Sequence, residues 1–229
     1  MRALSTTELL SVWERGNSQP PVQRTLTLLA AAHPESSPEA LASLSIGQRD
    51  ARLIELRELF FGPEFTGLAD CPACGEKIEL TLSAADICPE NETELPAEFD
   101  FQMAGHQLRF RLPTSADLLA VNNREQLLSR CLFNGHSHLP APVIAAVVEK
   151  MSRADPLADI QLALSCSSCG HKWEAPFDIV AFFWSEINAA GRGLLREIHA
   201  LASAYGWTES EILALSPARR RCYLEMVNG

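Results

Sequence analysis

No stretch of this sequence approaches the roughly 20 uninterrupted apolar residues that a membrane-spanning helix needs. The N-terminus, MRALSTTELLSVWERGN, lacks the apolar core of a secretory signal, and acidic residues arrive early. These absences predict a protein that stays in the cytoplasm and has no membrane partner. Positive charge is also scarce. Nineteen Lys and Arg stand against 29 Asp and Glu, a net charge of -10. That balance argues against a protein whose main work is gripping phosphate backbones, although a local basic patch stays compatible with it. The Gly-x-Gly-x-x-Gly, Gly-x4-Gly-Lys-Ser/Thr, Gly-x-Ser-x-Gly and His-Glu-x-x-His patterns are all missing. Carboxylate pairs such as Glu55 and Glu58 fall on polar helix faces. A non-enzymatic protein with no small-molecule substrate is the expectation.

What is present is an ordinary globular composition, 47% hydrophobic and 21% charged over 229 residues, enough to bury a sizeable core. The seven cysteines are an odd number. A reducing compartment disfavours disulfides, which moves the expectation toward metal ligands and buried thiols.

The first third has helical punctuation. Ser5 with Glu8 is a capping box that opens a helix through Leu9, Leu10 and Trp13 and stops near Gly16. Pro20 and Pro21 start a second helix over 22–32, ended by the Pro- and Ser-rich stretch 33–38. Ser45 with Gln48 opens a third over 46–61, closed by Gly62 and Pro63, in which Leu53, Leu56 and Phe60 share one face.

The middle changes period. Ile78, Leu80 and Leu82 alternate with polar residues, which predicts a half-buried strand. Residues 86–98 read as an acidic loop. Phe99, Phe101 and Met103, then Leu108, Phe110 and Leu112, alternate about Ala104-Gly105-His106 and predict a β-hairpin. Thr114 with Asp117 caps a helix expected to run to about 133, and a short helix is expected over 142–153. Ile160, Leu162 and Leu164 form a strand that enters Cys166, and Trp173, Ala175 and Phe177 continue beyond it. The remainder reads as a long helix from about 178 to 205. Thr208 with Glu211 opens the next helix, and Ser216 with Pro217 the last.

Two segments resemble each other: Cys71-Pro-Ala-Cys74-Gly75-Glu-Lys77-Ile-Glu79 and Cys166-Ser-Ser-Cys169-Gly170-His-Lys172-Trp-Glu174. Two thiolates three residues apart reach one ion only if the backbone between them forms a tight knuckle. The following Gly takes the left-handed conformation at no steric cost. Two knuckles supply the four sulfurs that Zn²⁺ takes in closed structural sites. A redox Cys-x-x-Cys normally opens a helix after a strand, whereas both pairs here lead into strands. Two unrelated pairs of buried thiols are the other alternative. Zinc, one structural ion per chain held by Cys71, Cys74, Cys166 and Cys169, is the reading adopted. Residues 75–165 lie between the pairs, far more than the roughly 15–20 of a compact ribbon. Because loop-closure cost grows only logarithmically, a folded insertion is tolerable.

Of the other cysteines, Cys88 lies in the acidic loop, Cys131 near a helix end and Cys222 in the last helix. Cys131 with His136 and His138 has spacing that could hold a second metal, though two histidines in a polar loop are more often simply a loop. The one concentrated basic run is Arg219-Arg220-Arg221. Trp184, Tyr205, Trp207 and Tyr223 are expected to gather in the C-terminal helices, and Trp, Tyr and Arg are the usual interface anchors. Core packing is the competing explanation for each aromatic. The partner-binding candidates are Trp207, Arg219, Arg220, Arg221 and Tyr223.

The elements LLSVWERG, SIGQRDARLIELRELFFG, CPACGEKIEL and FRLPTSADLLA lie along the chain with ADPLADIQLALSCSSCGHKWEAPFDIVAFFWSEI and LLREIHALASAYGWTESEILALSPARRRCYLEMV. Over nearly the full chain they resemble bacterial proteins found with contractile injection systems and phage-type tails. Those are described as phage baseplate proteins or relatives of the T-even phage baseplate hub assembly chaperone. The most distinctive part is the Glu-Ile-His, Tyr-x-Trp, Glu-Ile-Leu, Arg-Arg and Tyr-Leu series between Glu197 and Leu224. The resemblance implies protein–protein work with baseplate and hub proteins during assembly, either as a chaperone or as a component incorporated in the particle, and no catalysis.

The expected fold is α+β: an N-terminal helical segment (1–62), a split zinc ribbon (63–177) with an inserted β-hairpin and helices (98–155), and a helical C-terminal tail (178–229). The expected function is a non-enzymatic, zinc-containing assembly factor or accessory component of a phage-like contractile tail baseplate. The alternative is a zinc-ribbon nucleic-acid-binding regulatory protein.

Overall fold

Hydrogen bonds that the sequence announces start most of the helices. In the computed structural model, which describes residues 1–87, 96–133 and 139–228, the Ser5–Glu8 capping box opens α1 (Thr6–Asn17). Proline at the first helical position starts α2 (Pro21–Ala32). The 33–38 stretch ends in a helix the periodicity did not show, α3 (Pro38–Ala42), with Ser37 as N-cap. It is too short for a hydrophobic period to register. The Ser45–Gln48 box opens α4 (Ile46–Phe61), which ends at Gly62 with φ 85°. Leu53 and Leu56 are fully buried and Phe60 packs beside them, as their shared face requires.

Strand β1 (Glu64–Asp70) is a second element absent from the sequence reading. Its inward positions are Phe65, Gly67 and Ala69, and two of the three are too small to give an alternating signal. It pairs antiparallel with β2 (Lys77–Ser83) from Glu64–Ser83 to Asp70–Lys77. A single turn, α5 (Ala84–Ile87), follows and overlaps the start of the expected loop.

The expected hairpin is formed by β3 (Phe99–Met103) and β4 (His106–Phe110). Ala104 and Gly105 both have positive φ, 49° and 81°, as a two-residue turn matching the strand twist requires. The helix expected from Thr114 to about 133 is in fact two: α6 (Ser115–Ala120) and α7 (Arg124–Cys131). The break is made by Val121, whose backbone is extended, and by Asn123, whose side chain accepts from the Gln126 N–H as a new N-cap. Asn forms such caps more readily than it continues a helix. Helix α8 (Ala141–Ala154) follows and runs into a 3-10 turn, Pro156–Ala158.

Strands β5 (Ile160–Ser165) and β6 (Lys172–Phe177) form the third hairpin. Helix α9 (Ile179–Tyr205) is capped by Asp178 and ends at Gly206, which is left-handed with φ 69°. Helices α10 (Glu209–Leu213) and α11 (Pro217–Asn228) complete the chain. The fold is α+β, as the switch of hydrophobic period predicts.

Three apolar clusters hold these elements. The largest joins Val12, Leu29, Leu53 and Leu56 of the N-terminal helices to Phe65 of β1 and to Ile179, Phe183 and Ile187 of α9. The N-terminal helices therefore share one core with the start of α9. The inserted hairpin and helices have their own cluster, Leu108, Phe110, Leu128, Leu132, Val143 and Val147. The third joins Leu10 to Leu194, Ile198, Leu201 and Ile212. Trp184 belongs to the first cluster. A Cβ on Gly16 would lie 2.3 Å from its ring, so only glycine admits it there. This corrects the expectation that Trp184 joins the other C-terminal aromatics.

The insertion is tied back to the start of α4 at its C-terminal end. The Gly47 N–H donates to the Asp155 carboxylate at 2.9 Å, and a Cβ at Gly47 would sit 1.9 Å from the same carboxylate. Within the insertion, Asp117 caps α6 and also receives Arg111 and Arg130. Burial alone would raise the Asp117 carboxyl; the two guanidiniums and Thr114 outweigh it and hold it well below the usual carboxylate range. A depressed folded-state value contributes stability that is present above the unfolded value, about 4, and is lost as pH falls below it. Asp117→Asn is expected to cost about 2 kcal/mol at pH 7. The gap to wild type in urea melts should close as the pH is lowered below about 4. A gap independent of pH would mean the carboxylate charge is not what Arg111 and Arg130 hold.

Candidate metal centre

Each Cys-x-x-Cys is the turn of its own hairpin. Cys71 and Cys74 connect β1 to β2, and Cys166 and Cys169 connect β5 to β6. The two knuckles fold alike. The Cys71 N–H donates to the Glu76 carbonyl at 2.9 Å and the Gly75 N–H to the Cys71 carbonyl at 2.8 Å. In the other, the Cys166 N–H donates to the His171 carbonyl at 2.8 Å and the Gly170 N–H to the Cys166 carbonyl at 2.9 Å. Gly75 and Gly170 have φ of 74° and 73°, the left-handed conformation anticipated for the residue after each second cysteine.

The hairpins turn apolar faces toward each other. Phe65, Leu80 and Leu82 from one and Leu162, Leu164 and Phe177 from the other line a shared cleft, which Phe182 of α9 also lines. This packing brings the tips together. Cys71 Sγ lies 3.7 Å from Cys169 Sγ, and Cys74 Sγ lies 3.7 Å from Cys166 Sγ, so each close pair crosses between hairpins. All four sulfurs lie within 4.8 Å of one another and can hold one metal ion. A tetrahedral ion with bonds of ~2.3 Å needs sulfurs about 3.8 Å apart, which the two 3.7 Å pairs match.

Burial is arranged symmetrically. Cys71 and Cys166 are each 2% exposed, while Cys74 and Cys169 are open to solvent. The protons are not. Backbone N–H groups of Cys169 and Ser168, with the neighbouring thiols, draw Cys166 down to about 7. The Glu76 backbone would lower Cys74, yet the thiols of Cys169 and Cys71 push it up to about 12. Cys169 is also raised, against its His171 backbone donor, by the neighbouring thiols of Cys166 and Cys71. Four sulfurs this close cannot all be thiolates unless a cation sits among them.

Of the Cys131, His136 and His138 group whose spacing could hold a second metal, only Cys131 lies within the described residues; it is buried, and burial pushes its thiol up to about 11. His136, His138 and Cys88 lie outside the described residues. No second metal-holding group of this kind occurs among the described residues. Cys222 is exposed on α11.

The structure divides the partner-binding candidates. Arg220 is 5% exposed, donates to Glu197 at 3.1 Å and to the Leu215 carbonyl at 2.8 Å, and so ties α11 to α9 from inside. It is a structural arginine, which corrects its assignment to a partner-facing patch. Arg219 and Arg221 are exposed and meet no carboxylate among the described residues. Trp207 and Tyr223 are half-buried and form a pile with Tyr205. Tyr205 stacks on Trp207 with ring centroids 4.6 Å apart, and Tyr223 meets Trp207 edge-on at 4.9 Å. Among the described residues no helix is long and apolar enough to cross a membrane. No protein family, no curated protein and no solved structure matches this chain.

Proposed function

We propose that this chain is a non-enzymatic assembly factor or accessory component of a phage-like contractile tail or injection-system baseplate. It works in the cytoplasm on hub and baseplate proteins, and its halves are clamped by one structural zinc ion. The observation that carries the zinc reading is the convergence of four sulfurs from two hairpins whose cysteines stand 92 and 98 positions apart. An all-thiolate tetrahedral site suits zinc or iron, and zinc is the ion that closed structural sites hold without redox chemistry. Four thiolates leave no position for a reacting water, so the metal's role is mechanical. The assembly reading is supported by the sequence resemblance. A surface that presents Tyr, Trp and Arg together suits that work.

The test is recovery of the tagged chain from cells producing the particle. Stoichiometric recovery with purified sheath and tube is expected of a component, and association with hub proteins but absence from finished particles of a chaperone. Recovery with neither, joined to steeply salt-dependent binding of DNA or RNA, would replace this reading by the regulator.

A further inference from the structure

The four cysteines divide by access as well as by hairpin. Cys74 and Cys169 are exposed and Cys71 and Cys166 are buried, so each hairpin offers solvent one sulfur and keeps one inside. Among the described residues, the sulfur–sulfur contacts with hydrogen-bond geometry are Cys71 with Cys169 and Cys74 with Cys166, each at 3.7 Å. Each contact therefore joins an exposed sulfur of one hairpin to a buried sulfur of the other. That is the layout of an oxidant-sensitive thiol with a resolving partner: one sulfur that a peroxide reaches, and a second that displaces the oxygen from it. A disulfide is about 2.05 Å long, so each pair must close by about 1.6 Å.

We infer that the centre is an oxidation site, at which hydrogen peroxide converts the four thiolates into two disulfides that span the hairpins, Cys74–Cys166 and Cys71–Cys169. The inference rests on the four-cysteine centre proposed above and not on the baseplate role. The Cys74 thiolate attacks one peroxide oxygen and breaks the O–O bond, giving a sulfenic acid on Cys74 and one hydroxide. The Cys166 thiolate then attacks the Cys74 sulfur, forms the S–S bond and expels a second hydroxide. Two electrons thus pass from the sulfur pair to one peroxide. Cys169 and Cys71 repeat the sequence with a second peroxide. Four thiolates and two peroxides become two disulfides and four hydroxides, and a zinc ion held among them is released as Zn²⁺ with its oxidation state unchanged.

Pairing across the hairpins, rather than within each Cys-x-x-Cys, decides the consequence. Bonds inside the knuckles would discharge the metal and leave the hairpins unlinked, since no strand pairing joins them. Bonds between the hairpins close segments 98 and 92 positions long and hold the tips together without metal. The oxidised centre is a covalent replacement for the metal clamp, and a thiol reductant reverses it.

The experiment treats the full chain with hydrogen peroxide, follows zinc release with a colorimetric chelator, and maps disulfides by tryptic digestion without reductant. Trypsin cuts after Arg57, Lys77, Arg153 and Lys172, so residues 58–77 carry Cys71 and Cys74 and residues 154–172 carry Cys166 and Cys169. The expected product, from chain that runs as a monomer without reductant, is these two peptides joined, roughly four mass units lighter than the reduced pair. Fragmentation should assign Cys71 to Cys169 and Cys74 to Cys166. About one zinc should be released per two peroxides consumed. The oxidised, metal-free chain should melt about 10 °C or more above the chelated, reduced chain. Separate peptides with internal disulfides, joined peptides in the other pairing, or sulfinic acids without disulfides would overturn the inference. So would a centre that keeps its four thiols in excess peroxide. If the chain carries no zinc and the peptides join as expected, the oxidation site stands and the zinc reading is wrong. If zinc is bound and released while the peptides stay separate, the zinc reading stands and the inference is wrong.

Discussion

Cys166→Ser is expected to empty the metal centre and to unfold the junction between the two hairpins. Cys166 is the buried ligand of its knuckle, paired across the hairpins with Cys74 at 3.7 Å. Serine cannot supply a thiolate, and three sulfurs bind zinc far more weakly than four. Structural zinc contributes an apparent ~10–16 kcal/mol in zinc-finger peptides, as much as the whole stability of a typical domain, about 5–15 kcal/mol. The hairpins depend on it more than most. Each is two-stranded, neither is hydrogen-bonded to the other, and isolated two-stranded hairpins are marginal in water. Elemental analysis should find about one zinc per wild-type chain and close to none in the variant. At roughly 2–4 °C per kcal/mol, melting should fall by 20 °C or more. Chelation of wild type should reproduce the fall. A metal-free wild type with an unchanged melt in Cys166→Ser would end the zinc reading, and an iron content of about one would change the ion while keeping the clamp.

Arg57→Ala should be strongly destabilising. The Arg57 side chain is 4% exposed and makes a two-pronged pair with Glu186, at 2.9 Å and 2.6 Å. It also donates to the Gly62 carbonyl at 2.7 Å and lies 4.1 Å over the Phe65 ring. One guanidinium therefore joins α4, the turn into β1, and α9. Its removal leaves a carboxylate and a carbonyl without their donor. Breaking a buried pair by removing one partner costs about 3–5 kcal/mol, and because Glu186 retains some access to water we expect about 3 kcal/mol, or roughly 6–12 °C in melting. Arg57→Lys should recover only part of this, since one ammonium cannot make the parallel pair and reach Gly62 as well. Arg57→Met with Glu186→Leu should be more stable than Arg57→Ala, because no charge is then stranded. A loss below about 1 kcal/mol in Arg57→Ala would show that water replaces the guanidinium at little cost.

Much of the local structure was legible because its causes are local. The boxes at Ser5, Ser45, Thr114 and Thr208 each satisfy helix donors three residues on, and all four are formed. Gly75 and Gly170 announced their knuckles by the same logic. What was missed had weak local causes: β1 alternates through Gly67 and Ala69, and α6 and α7 part at an Asn whose capping role competes with helix continuation.

Arg220 shows the other limit. In the sequence it stands between two equivalent arginines, but turning on α11 sends it inward to Glu197 while Arg219 and Arg221 face water. Likewise, Arg57 and Glu186 are 129 positions apart, and no periodicity connects them. Helix starts, knuckles and the identity of the four sulfurs can be read along the chain, because they depend on hydrogen bonds and φ values within a few residues. Which sulfurs face each other, which arginines are buried and which helix face stays open emerge only on folding, because those depend on how distant apolar faces pack and exclude water.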